Sequence, residues 1–110
     1  MAQDFERAYS SAVGTGEVTL LTSNSDDALI GIRVTNILSS AVTCDCYIDA
    51  AGAGTDYHIC KNLTIPPNSS VELIQGGAKI VIQATDILHI KSDTGSALDV
   101  WVSYVDSIST

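Results

Sequence analysis

The sequence predicts an all-β protein, an antiparallel β-sandwich of jelly-roll type built from about eight short strands. Three observations lead there. Apolar residues recur with period two rather than 3.6 through almost the whole chain. Turn-forming clusters punctuate it at roughly ten-residue spacing. The composition is that of a chain with a core: of 110 residues, 45% are hydrophobic and only 16% are charged.

The strands follow in order. Gly14 and Gly16 open the first, which runs through Val18, Leu20 and Leu21 to the polar turn at residues 23–27. Residues 28–38 form the next, with Ile30, Ile32, Val34 and Asn36 on one face. Residues 41–49 alternate cleanly: Val42, Cys44, Cys46 and Ile48 point one way, Thr43, Asp45, Tyr47 and Asp49 the other. Residues 50–54 are a small-residue loop, and residues 55–65 the fourth strand. Pro66-Pro67 ends it, because proline cannot donate to a ladder. Residues 70–74 and 79–83 flank a tight Gly76-Gly77 turn. Residues 87–92 form the seventh strand, and the last carries Leu98, Val100, Val102 and Tyr104 on its inner face.

Residues 1–13 lack this alternation and read as an N-terminal arm, distinct from a sandwich domain over residues 14–110. Phe5, Ala8 and Tyr9 mark one face of either a short helix or an extended segment. So short a segment does not hold a helix alone. Phe5 is the only phenylalanine of the chain, and a free tail would leave its apolar area unused. The arm is either a frayed terminus or, as Phe5 and Tyr9 suggest, a segment that orders against a neighbouring subunit.

Charge narrows the partners. Five Lys and Arg against 13 Asp and Glu give a net charge of −8. Nucleic-acid binding by counterion release needs clustered cations, as does adhesion to an anionic membrane surface, so neither partner is expected. No apolar run is long enough to span a membrane. The first residues hold neither a basic region nor an apolar one, so no secretory signal is expected and the three cysteines are expected to be reduced thiols.

Catalytic chemistry has little material. No nucleophile elbow and no phosphate loop occurs. Cys44 and Cys46 share a face, but their spacing is neither the redox nor the zinc pattern. By strand parity Cys60 points away from Cys46, alongside His58. His58, Cys60 and outward-facing His89 could offer ligands, yet nothing in their spacing forces them together. Asp26-Asp27 lacks the twelve-residue calcium pattern and reads as an Asx-turn. No catalytic residue, metal or cofactor is expected. Trp101 is opposite in phase to Leu98, Val100 and Val102, and Tyr47 lies outward between Asp45 and Asp49. Either a bulge buries Trp101 or it is a protein contact; the contact reading makes Phe5, Tyr9, Tyr47 and Trp101 the candidate interface.

Four stretches carry a family resemblance: residues 26–38 (DDALIGIRVTNIL), 60–74 (CKNLTIPPNSSVELI), 77–90 (GAKIVIQATDILHI) and 98–105 (LDVWVSYV). From residue 26 onward the chain resembles small virion proteins of tailed phages, of the kind found in phages of cyanobacteria. The resemblance implies a non-enzymatic virion structural protein, assembled in the host bacterial cytoplasm. A capsid cement or decoration protein that bridges capsomers comes first, and a tail, neck or fibre-attachment component second. A receptor- or carbohydrate-binding module is the third reading. Its implied partners are further copies of itself, as a trimer or hexamer, and other virion proteins such as the major capsid protein or a tail protein.

Overall fold

The computed structural model describes residues 4–75 and 79–108, and among these it contains no α-helix. The chain forms β1 (Asp4–Val13), β2 (Val18–Thr22), β3 (Asp27–Asn36), β4 (Val42–Asp49), a 3₁₀ turn (Ala50–Gly52), β5 (Asp56–Ile65), β6 (Ser70–Glu72), β7 (Ile80–Ile82), β8 (Ile87–Ser92) and β9 (Leu98–Asp106). Two antiparallel sheets pack face to face. The first runs β1-β9-β3-β6, with β7 also on β3; the second runs β2-β8-β4-β5.

β6 pairs with Arg33 to Thr35 of β3, and β7 with Asp27 to Leu29, so the two lie end to end along one edge of β3. Counted as one broken strand, they leave eight strand positions. The chain then crosses between sheets at nearly every connection, which is jelly-roll order. The expected Gly76-Gly77 turn lies outside the described residues, as do residues 1–3 of the expected arm.

Inward-facing side chains of both sheets make the core. Leu29, Ile32 and Val34 of β3 and Leu98, Val100 and Val102 of β9 meet Leu88 and Ile90 of β8 and Val42, Cys44 and Cys46 of β4. Asn36 is fully buried among them and satisfied: its Nδ2 reaches the carbonyls of Ser40 and Ile65, and its Oδ1 accepts the Leu38 N–H. The accessible surface is 5714 Å², against roughly 5,800 Å² for a folded monomer of this mass. The chain closes its own core.

Two local expectations change. Ile30 leaves the inner face, because a register shift between Leu29 and Gly31 turns it outward. Residues 4–13 are not an arm apart from the sandwich. They form β1, paired from Asp4↔Asp106 to Ser10↔Val100 with β9 of the same chain. The alternation is there: Ala8 and Ser10 are half-buried over the core side, while Phe5, Arg7 and Tyr9 face out. It was masked because Asp4 and Glu6, in the inward phase, remain exposed and carry charge.

Candidate functional site

The outer face of the first sheet holds three exposed aromatic residues, Phe5, Tyr9 and Trp101. Cross-strand partners share a face, so Tyr9 lies beside Trp101, Arg7 beside Ser103 and Phe5 beside Val105. The Tyr9 and Trp101 rings stack, with centroids 5.3 Å apart and planes 17° from parallel. The Arg7 guanidinium sits 5.6 Å from the Tyr9 ring centre and 5.7 Å from that of Trp101. Cation–π contacts at exposed sites contribute about 0.5–1 kcal/mol. The exposed fraction is 83% for Phe5, 60% for Tyr9 and 49% for Trp101.

The row continues across the sheet. Trp101 neighbours Arg33 on β3, and Arg33 neighbours Glu72 on β6, at 3.7 Å between Nε and Oε1. Two shallow grooves flank the stack. One, of about 380 Å³, is lined by Phe5, Glu6, Arg7, Ile30, Ser103 and Tyr104. The other, of about 340 Å³, is lined by Tyr9, Ser10, Ser11, Asp99, Val100 and Trp101. A bulge shapes the second groove. Ala12 adopts the left-handed region (φ 53°), and its N–H donates to Asp99 Oδ1 at 3.0 Å.

Tyr47 does not belong to this surface. Its phase is outward as expected, but on the outer face of the other sheet, and it is covered to 3% exposure. Its hydroxyl donates to Glu17 Oε1 at 2.6 Å, and the His58 and His89 rings pack against its ring at 5.1 and 5.5 Å. Burial, then the Glu17 carboxylate, pushes its phenol well above the ordinary range. His89 shares this cover: it is 6% exposed, with Nδ1 3.3 Å from Thr19 Oγ1 and 3.8 Å from Glu17 Oε2. Tyr47 and Trp101 lie on opposite sides of the sandwich, so no single ligand rests on both.

The cysteine geometry corrects the parity argument. β5 carries two register shifts against β4, and these place Cys60 directly opposite Cys46. At the first, Asn62 is left-handed (φ 54°) and donates its N–H to Asp45 Oδ1 at 2.7 Å. Cys60 is consequently half-buried on the inner side, with Sγ donating to the Cys44 carbonyl at 3.6 Å, while His58 stays outside. All three thiols are free. The neighbouring Cys60 thiol, then burial, drives the Cys44 thiol up, and the Cys44 thiol in turn lowers Cys60. Burial raises Cys46.

Other carboxylates bind serine hydroxyls and a backbone N–H. Asp27, buried, accepts from Ser23 Oγ at 2.8 Å, Ser25 Oγ at 3.0 Å and the Ser107 N–H at 3.2 Å; Ser25 also donates to Asp106. Among the described residues no three His, Cys, Asp or Glu side chains converge as metal ligands. Arg7, central to the aromatic stack, was missed by the sequence reading. Its signal was the Phe5, Arg7, Tyr9 alternation. No protein-family model matches this chain, and no curated protein matches it.

Proposed function

We propose that this chain is a non-enzymatic structural subunit of a tailed-phage particle: a capsid cement or decoration protein first, a tail, neck or fibre-attachment component second. It would act as copies of itself, as a trimer or hexamer, set against the major capsid protein or a tail protein. One observation carries the reading. A jelly roll with a self-sufficient core keeps Phe5, Tyr9 and Trp101 exposed together on one sheet face, with Arg7 over the rings. Jelly rolls serve capsids and lectins alike. Exposed aromatics and arginine are the residue types that anchor protein contacts. The sequence resemblance supplies the particle.

Quantitative mass spectrometry of purified particles from the phage encoding the chain tests this. Hundreds of copies per particle fit a cement protein, and a small multiple of three or six fits a tail or neck part. Absence from the particle overturns the reading. A second reading, carbohydrate binding, rests on the Tyr9–Trp101 stack beside the groove that holds Asp99, Ser10 and Ser11. Glycan-dependent quenching of Trp101, the chain's single tryptophan, would favour it.

A further inference from the structure

We propose that two copies of this chain join through β1 in an antiparallel pairing centred on Ala8, so that their first sheets become one continuous sheet across a two-fold axis. A strand at a sheet edge presents unpaired N–H and C=O groups, and proteins usually blunt such edges by shortness, bulges, lysine or proline. Three of the four edges here are blunted. β6 and β7 have three residues each. β2 has five, with a register shift between Thr19 and Leu21. β5 carries two shifts and an exposed Lys61. β1 is the straightest edge: it has ten residues, neither Lys nor Pro, and an uninterrupted ladder with β9 from Asp4 to Ser10, its inward-phase charges Asp4 and Glu6 and its register shift after Ser10 lying toward the two ends. Its far side has no strand partner among the described residues.

The occupant and register follow from β1 itself. Residues directly opposite in an antiparallel pair share a face, so a two-fold axis normal to the sheet must pass through a residue position, not between two. An axis at Glu6 sets Glu6 against Glu6, and one at Arg7 sets Arg7 against Arg7; like charges directly opposite are destabilising. An axis at Tyr9 draws residues 11–13, where the ladder is bulged, further into the pairing. An axis at Ala8 avoids the like-charge pairs and centres the pairing on the regular residues 6–10, leaving the bulged residues 11 and 12 only at its ends. Glu6 then faces Ser10 of the second copy. Arg7 faces Tyr9 twice over, extending the cation–π contact it already makes within its own chain. The five regular pairs, residues 6–10, span about 17 Å. Such a strip falls below the roughly 1,200 Å² of standard stable interfaces, so the contact should be of micromolar strength. It is isologous, which a hexamer of paired trimers contains and a plain trimer does not. The proposal deepens the self-association in the reading above, but it is tested on purified chain, apart from any particle.

Sedimentation velocity of the full chain from about 1 to 300 µM should show a reversible monomer–dimer equilibrium, strengthened by salt because each copy carries −8. In a Cys60→Ser background, Ala8→Cys should form a reducible dimer at least tenfold faster than Arg7→Cys. Ala8→Lys, which sets two ammonium groups across the axis, should weaken dimerisation tenfold or more with an unchanged circular dichroism spectrum. If Ala8→Lys fails to fold, the cysteine pair still decides. A monomer at every concentration, a trimer without dimer, or faster crosslinking through Arg7→Cys overturns the proposal.

Discussion

Replacing Trp101 by alanine separates a surface contact from a core residue. A fully buried tryptophan covers about 150–250 Å². With 49% of Trp101 exposed, roughly 100 Å² is covered, or about 2.5 kcal/mol at 25 cal/mol per Å². Alanine keeps the Cβ share, and a compact unfolded chain already covers some of the rest, so a loss of about 2 kcal/mol is expected. For a domain of this size that is a drop of roughly 8 °C in Tm. Chemical and thermal melts of the wild type, Trp101→Ala, Tyr9→Ala and the double variant close a thermodynamic cycle. The stack at 5.3 Å predicts a coupling of about 1 kcal/mol between the two rings. Trp101→Ala should stay folded, with a cooperative transition. A coupling near zero would refute the stack. Loss of the cooperative transition would show that Trp101 belongs to the core and not to a contact surface.

Other outcomes follow from the same geometry. Asp93, which accepts the Thr43 N–H at 3.0 Å, has a carboxyl pKa held below the ordinary range. A depressed folded pKa contributes stability above the unfolded value, about 3.9, and loses it as pH falls through the folded value. The urea midpoint should therefore fall below about pH 4, with a shallower acid slope in Asp93→Asn; an unchanged slope in that variant would count against the Thr43 bond. In native protein a thiol reagent should label Cys60 before Cys44 and Cys46, because its thiol is lowered and half-exposed while theirs are buried and raised. Non-reducing mass spectrometry should find three free thiols; faster labelling of Cys46 would place Cys60 elsewhere. Ala12→Gly should raise stability by about 0.5 kcal/mol, because glycine relieves the left-handed strain at φ 53°. A destabilised variant would contradict that conformation.

The sandwich was legible because period-two alternation is a local signal. In Val42, Cys44 and Cys46, and again in Leu98, Val100 and Val102, the core face follows from spacing alone. Trp101 was placed outward by the same rule and is exposed. The rule fails wherever a bulge adds a residue, since each one inverts the faces beyond it. That is why Ile30 and Cys60 changed sides. Tyr47 failed for a different reason: its phase was right, but what covers it comes from Glu17, His58 and His89, distant in sequence or on a neighbouring strand. β1 was hidden because its inward phase carries Asp4 and Glu6 where the strand remains exposed.

The bulges are the one irregularity that composition hints at. A residue in the left-handed region turns its N–H out of the ladder, and an acceptor on the neighbouring strand must take it. Asp99 does so for Ala12, and Asp45 does so for Asn62. Asp86 does the same for Ala51 in the loop, at 2.7 Å, and Glu72 accepts the N–H groups of Ile32 and Ile74. Much of the acidic excess is therefore committed to backbone donors at fixed places and is not a diffuse surface field. These caps fix where strands bend and which edges stay straight. β1 remains regular from Asp4 to Ser10 because its only capped bulge comes after that run. If so, Asp99→Ala should loosen the Ala12 bulge, at a cost of about 1 kcal/mol, and leave the straight run of β1 and its pairing with β9 in place. Amide hydrogen exchange checks this: faster exchange should be confined to residues 11–13, and faster exchange across residues 4–10 would mean that the bulge cap holds the whole strand.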